Sequence, residues 1–266
     1  MGTRTEHAPG TFSWVDLTTR DGDGAKDFYG GLFGWEFEDT EIPGDGGVYT
    51  MCSVGGENVA AIGPPTEDFP PHWNSYVTVA SADDAAAKAN ELGANVIQEP
   101  FDVMDAGRMA AFSDPTGAAL CVWEPRDAIG AGRVNEPGCL TWNELHTHDP
   151  DKAFEFYTSM FGWSSVEMDT GDGNPRYIVV RNSERSNGGV TEAQGGEPPS
   201  WIPYFVVESR DGAVDKAKEL GGREMFRMDM EQRAGASRPE EQGAKIAILA
   251  DPQGAPFAVF EGEVDD

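Results

Sequence analysis

Two short alternating stretches carry the side chains best suited to chemistry. Trp142, Glu144, His146 and His148 stand at every second position of TWNELHTH, and Trp14, Asp16 and Thr18 do the same in SWVDLT. A period of two puts each set on one face of a strand, with next-but-one side chains about 7 Å apart. A carboxylate facing inward beside a tryptophan ring is expected to have a raised pKa, which suits it to proton transfer. Glu144 with His146 is the candidate acid–base pair, since of the four histidines His7 falls in the lead-in and His72 in a connector. A plainer role stays open for the same residues: Trp14 and Trp142 as packing, Asp16 and Glu144 as acceptors for buried donors. A metal at Glu144 and His146 would need further ligands from elsewhere.

Other residues could line a ligand site. Arg108, in GRMAAF, is a cation in an anionic chain and could hold a ligand carboxylate or enolate, or pair with a nearby acid. Tyr76, Trp123, Tyr204 and Phe260 are strand-borne aromatics that could form either a ligand cradle or core. Cys121 has no histidine assignable beside it and reads as a small buried residue. DGDG and GDGN fail as calcium loops, because Leu32 and Val180 stand where a bidentate Glu is needed. There is no GxSxG, P-loop or HExxH sequence.

The elements that must position these residues come twice. FSWVDLTTRDGDGAKDFYGGLFGW (12–35) and LTWNELHTHDPDKAFEFYTSMFGW (140–163) align without a gap at an offset of 128. In each copy a strand leads into a helix with apolar residues at helical spacing, such as Ala153, Phe156, Tyr157 and Met160, stopped by Gly34 or Gly162. Short strands follow. The second half of each copy repeats the plan, with WNSYVTV, a helix over 80–93 and three strands, against WIPYFVVES, RDGAVDKAKELGG and their three strands. The order is four βαβββ modules in two domains, 11–125 and 139–263, with 126–138 as a linker and 1–10 as a disordered lead-in. Gly93 and Gly221 keep the offset of 128, but Asp114 and Asp251 are 137 apart. The nine extra residues fall within RMDMEQRAGASRPEEQG, and such an insertion is a lid, a binding loop or disorder.

Composition narrows the partners. Lys and Arg total 19 against 47 Asp and Glu, a net charge of −28, which disfavours nucleic acid and anionic membranes. No apolar run approaches the ~18 residues of a membrane span. Three scattered cysteines suggest free thiols in a reducing cytoplasm.

Paired βαβββ modules with DFYGGLFGW and EFYTSMFGW, and with SDPTGAALCVWEP and ADPQGAPFAVFEG, resemble the vicinal oxygen chelate superfamily. This is the group of glyoxalase I, bleomycin-resistance proteins and extradiol dioxygenases, and the likeness is greatest to its two-domain members labelled hydroxylases. The resemblance implies an α+β fold in which tandem glyoxalase-like domains form two cup-shaped mixed sheets. It also implies a divalent metal within a cup, at positions that fall here on Trp14, Trp142, Cys121, Ala258, Asn74 and Ile202. Trp, Ala and Ile offer no lone pair to a metal, and Asn is a poor ligand for iron, nickel or zinc. The family's metal site is therefore expected to be missing.

Three functional readings follow. The first is a cofactor-free protein that binds a small aromatic or polycyclic metabolite in a cup lined by Trp14, Asp16, Tyr76, Arg108, Trp123, Trp142, Tyr204 and Phe260. The second is an enzyme of secondary metabolism, a hydroxylase or isomerase using Glu144 and His146. The third is a lyase or dioxygenase dependent on a divalent metal such as Fe, Ni or Zn. In each, the partner is a small molecule and the chain is a monomer with an internal pseudo-dimer, a homodimer remaining open.

Overall fold

The computed structural model describes residues 2–44, 46–65, 70–168, 175–229 and 243–264. Module one comprises β1 (Phe12–Thr18), α1 (Gly22–Phe33), β2 (Glu36–Glu41), β3 (Val48–Val54) and β4 (Glu57–Gly63). Module two has β5 (His72–Thr78), α2 (Ala82–Glu91), β6 (Asn95–Val103), β7 (Gly107–Ser113) and β8 (Ala119–Pro125). Module three has β9 (Leu140–Thr147), α3 (Pro150–Phe161), β10 (Ser164–Met168), β11 (Tyr177–Asn182) and β12 (Arg185–Glu192). Module four has β13 (Ser200–Val206), α4 (Arg210–Glu219), β14 (Arg223–Asp229), β15 (Lys245–Ala250) and β16 (Pro256–Glu261). The four βαβββ modules are as expected from the repeat, and each domain joins two of them into one eight-stranded mixed sheet. The orders are β2-β3-β4-β1-β5-β8-β7-β6 and β10-β11-β12-β9-β13-β16-β15-β14. The sheets are open, which gives two cups rather than closed barrels.

Local chemistry sets the helix ends. Asp21 and Asp149 accept hydrogen bonds from the backbone N–H groups of Gly24 and Lys152, and Ser81 and Ser209 cap α2 and α4 in the same way. Gly34 and Gly162 end α1 and α3 with φ of 71° and 73°, a left-handed turn that costs glycine little.

The helices cross between domains. Phe28 and Tyr29 of α1 pack on Phe257 of β16, and Phe156 of α3 packs on Phe112 of β7. Two large apolar cores result, each built mainly from one module of each domain, with Phe12 and Trp201 joining the first and Trp73 and Leu140 the second. The chain also ties itself across the boundary through indoles: Trp35 Nε1 donates to Gly138 O and Trp163 Nε1 to Gly10 O, at 2.7 and 2.8 Å.

Two expectations need correction. Residues 2–10 are not a disordered lead-in: Arg4 N donates to Gly132 O, Val134 N to Gly2 O, and His7 Nε2 lies 2.8 Å from Ala131 O. Lead-in and linker thus provide each other's backbone partners, which composition alone cannot reveal. His72 lies not in a connector but at the start of β5, opposite Thr18. The region expected to act as a lid or loop lies largely in 230–242, outside the described residues.

Candidate functional site

Each cup is floored by the first strands of its two modules. Val15 and Leu17 of β1 enter the interdomain core, as does Leu145 of β9. The alternating residues Trp14 and Asp16, and Trp142, Glu144 and His146, therefore face the cups. β9 ends at Thr147, so the alternation stops before His148, which is exposed with Nε2 2.9 Å from Glu197 O.

In the first cup Asp16 is a buried acceptor. Asn74 Nδ2 donates to its Oδ1 at 2.8 Å, while Tyr76 Oη and Tyr49 Oη donate to Oδ2 at 2.8 and 3.1 Å. Trp14 Nε1 donates to Tyr49 Oη at 3.2 Å. Burial pushes the Asp16 carboxyl above the usual aspartate range, and the three donors offset this only in part. Thr18 takes a 3.1 Å bond from Asn74. The remaining space is filled from within the chain: Ala131 and Val134 of the linker pack with Trp14, Tyr76 and Cys121, and Trp123 Nε1 donates to Ala128 O.

The second cup repeats the frame with different contents. Tyr204 Oη donates to Glu144 Oε1 at 2.7 Å, and Trp142 Nε1 donates to Tyr177 Oη at 3.1 Å. His146 replaces Thr18, and its Nε2 lies 2.8 Å from Glu144 Oε1. Both carboxylates had been expected to have raised pKa values. Burial does act upward on Glu144, but contact with His146, Tyr177 and Tyr204 outweighs it and holds the carboxyl below the usual glutamate range. Ile202 stands where Asn74 does, next to Ala258 and Ile248, with Ile246, Phe260 and Trp142 packed against them. On β14, Phe226 and Met228 pair with Ile248 and Ile246, so they share the cup face, and they are 51% and 43% exposed. The described part of this cup is an apolar wall with one carboxylate–imidazole pair at its base.

The structure thus brings together Trp14, Asp16, Tyr76 and Trp123 in one cup, and Trp142, Glu144, His146, Tyr204 and Phe260 in the other. It does not bring Arg108 to either. Met109 faces the first cup, so Arg108 points to the helix side, where its guanidinium holds Asp83 at 2.7 Å and Asp102 at 3.0 Å. Tyr49 and Tyr177, absent from the candidates above, complete the frames around Asp16 and Glu144. Their separation of 128 residues, equal to that of Tyr76 and Tyr204, was the available signal.

The residues at the family's ligand positions do not fit a divalent ion. Trp14 and Trp142 present N–H donors already spent on tyrosines, Ile202 and Ala258 are core, and Asn74 directs its amide nitrogen at Asp16. Cys121 is buried in a way that pushes its thiol far up, keeping it neutral. Among the described residues no three His, Cys, Asp or Glu side chains are grouped to hold a metal.

Comparison with known proteins places this architecture. Residues 11–122 match the model of the Glyoxalase/Bleomycin resistance protein/Dioxygenase superfamily, and residues 142–260 match that of the glyoxalase-like domain. The chain is 40% identical to "Putative glyoxylase CFP32" of Mycobacterium tuberculosis, over 98% of both chains. It is 34% identical to the anthracycline biosynthesis protein DauV of a Streptomyces species, covering 97% of this chain and 95% of that one. Among solved structures, the Mn(II)-bound glyoxalase of Novosphingobium aromaticivorans superposes with a TM-score of 0.66 at 16% identity, covering 100% of this chain and 84% of the other. The 2,2',3-trihydroxybiphenyl 1,2-dioxygenase of Sphingomonas wittichii gives 0.66 at 13% identity, covering 97% and 92%. These last two speak for the fold alone. With both halves matched and a full-length relative at 40% identity, the chain belongs to the glyoxalase/bleomycin-resistance/dioxygenase superfamily, as a tandem of two glyoxalase-like domains.

Proposed function

We propose that the second cup takes a small aromatic or polycyclic metabolite, without a metal, and that Glu144 and His146 handle a proton on it. The observation that carries this reading is the 2.8 Å contact between His146 Nε2 and Glu144 Oε1 at the base of an apolar wall. A carboxylate held ionised beside an imidazole fixes its tautomer: the proton sits on Nε2, and Nδ1 keeps its lone pair. Nδ1 can then accept a proton from a ligand hydroxyl or an activated C–H, with Glu144 stabilising the imidazolium that forms. The Streptomyces relative named for anthracycline biosynthesis supports a polycyclic class of ligand. The donor chemistry at Trp14, Trp142, Ile202 and Ala258 supports a reaction, or simple sequestration, that needs no divalent ion.

Metal analysis of the purified protein, combined with binding and turnover of hydroxylated polycyclic aromatics by wild type and Glu144→Gln, tests the reading. Binding retained with turnover abolished in Glu144→Gln is the result expected of the enzyme. Binding without turnover in wild type would leave sequestration. Stoichiometric iron, nickel or zinc that is lost on Glu144→Gln would overturn the metal-free reading.

A further inference from the structure

We propose that Arg181 is the anion-binding residue of the second cup, and that the ligand is a planar apolar molecule carrying a single negative charge, a carboxylate. This rests on the second cup being the ligand site. In β11, Ile178 and Val180 enter the interdomain core, whereas Tyr177 reaches the indole of Trp142 in the cup. β11 pairs with β10 without a register shift from Ser164↔Arg181 to Met168↔Tyr177, so its alternation is unbroken and Arg181 shares the face of Tyr177 and Val179. The bulge in this region lies in the pairing of β11 with β12, where Val180↔Gly188 is followed by Arg181↔Ser186.

Arg181 is half-buried, its Nε is fully enclosed without a hydrogen-bond partner, and among the described residues no carboxylate lies within ion-pair distance of it. Arg133 Nε is enclosed in the same way, but the Arg133 guanidinium has Glu136 at 3.3 Å. Arg108, Arg133, Arg176 and Arg210, which are also not fully exposed, are by contrast held by acids: Arg108 by Asp83 and Asp102, Arg133 by Glu136, Arg176 by Asp151 and Glu167, Arg210 by Asp211 and Asp229. Burying part of a guanidinium without a counter-charge is costly, and a ligand carboxylate on its outer nitrogens would offset that cost.

Position also favours a ligand. Val179, Gly189 and Glu144 lie in one row across β11, β12 and β9, and Arg181 is two residues further along β11. Strand spacing and rise put the Cα atoms of Arg181 and Glu144 about 12 Å apart. Between them the Tyr177 phenol and the Trp142 indole lie over Gly189 and form the floor: a Cβ at Gly189 would come within 2.2 Å of Tyr177 Oη and 3.2 Å of Trp142 Nε1. A flat ring system laid across this floor can reach the Glu144–His146 pair with one edge and Arg181 with the other. One guanidinium matches one carboxylate through paired N–H···O bonds, whereas a phosphate dianion would leave excess negative charge facing Glu144. The first cup has Ser53 at the equivalent position, so the feature belongs to the second cup alone.

Titrate full-length wild type, Arg181→Met and Arg181→Lys with anthraquinone-2-carboxylate and with its uncharged methyl ester, following tryptophan fluorescence. Wild type is expected to bind the acid about tenfold more tightly than the ester, the scale of one charge-assisted pair. In Arg181→Met the two affinities converge while ester binding persists, which also shows that the variant is folded. Arg181→Lys keeps part of the preference. An acid preference that survives in Arg181→Met, or a wild type that binds both probes equally, would overturn the role of Arg181 and leave the cup as ligand site. Failure of wild type to bind either probe would bring down the cup reading and this inference with it.

Discussion

Tyr157 Oη of the third module donates a 2.8 Å hydrogen bond to Asp114 Oδ2 of the second. Asp114 Oδ1 meanwhile accepts the backbone N–H groups of Thr116, Gly117 and Ala118. Tyr29 and Asp251 repeat the arrangement across the opposite pair of modules, at 3.2 Å. The FYxxxFGW helix end and the DPxG turn are therefore two halves of one interdomain lock. Trp201 Nε1 and Trp73 Nε1 complete it by donating to the two tyrosine hydroxyls.

Tyr157→Phe should destabilise the chain by about 1–3 kcal/mol, because it removes one hydroxyl that serves both the Asp114 carboxylate and the Trp201 indole. Urea unfolding should show a lower midpoint at unchanged slope. A midpoint equal to wild type would mean that the lock contributes nothing.

The two cup carboxylates should give opposite pH dependences. The Glu144 pKa is lowered in the fold, so its contribution to stability is present above the unfolded value near 4.5 and is lost as pH falls through the folded value. The Asp16 pKa is raised, so ionising it costs stability as pH rises from its unfolded value near 3.8 through the folded one. Unfolding free energies from acid to neutral pH should show the gap between wild type and Glu144→Gln widening with pH. The gap between wild type and Asp16→Asn should shift the other way. Parallel slopes would contradict the distinct environments.

Tyr177→Phe strips a donor from Glu144 and leaves the Trp142 indole N–H without its acceptor. Ligand affinity in the second cup should fall about tenfold, the cost of one unsatisfied polar group. Tyr49→Phe, in the self-filled first cup, should change stability and leave ligand affinity unaltered. Calorimetric titration of both variants separates the two effects.

The repeat in the sequence, with its offset of 128 and its capped helices, disclosed four modules and two sheets, because strand alternation and glycine stops are local signals. Trp14, Asp16, Trp142, Glu144 and His146 were readable as cup residues for the same reason. Of the two readings open for Arg108, the ion pair with acids is the one found, because its direction depends on which face of β7 the helix covers, and Asp83 on α2 decides that. The linker's occupation of the first cup was hidden, since Ala131 and Val134 look no different from other small apolar residues in a loop. The lowered pKa of Glu144 rests first on His146, two residues along the same strand, and then on Tyr177 and Tyr204 from β11 and β13, which together outweigh the desolvation that alone would raise it.

Calorimetric titration of metal-stripped protein with 1-hydroxyanthraquinone tests the central claim most directly. One site per chain is expected, present without added metal, weakened at least about tenfold by Glu144→Ala and unaffected by Asp16→Ala. Two equivalent sites, binding that requires a divalent ion, or an affinity indifferent to Glu144→Ala would contradict a single metal-free ligand site in the second cup.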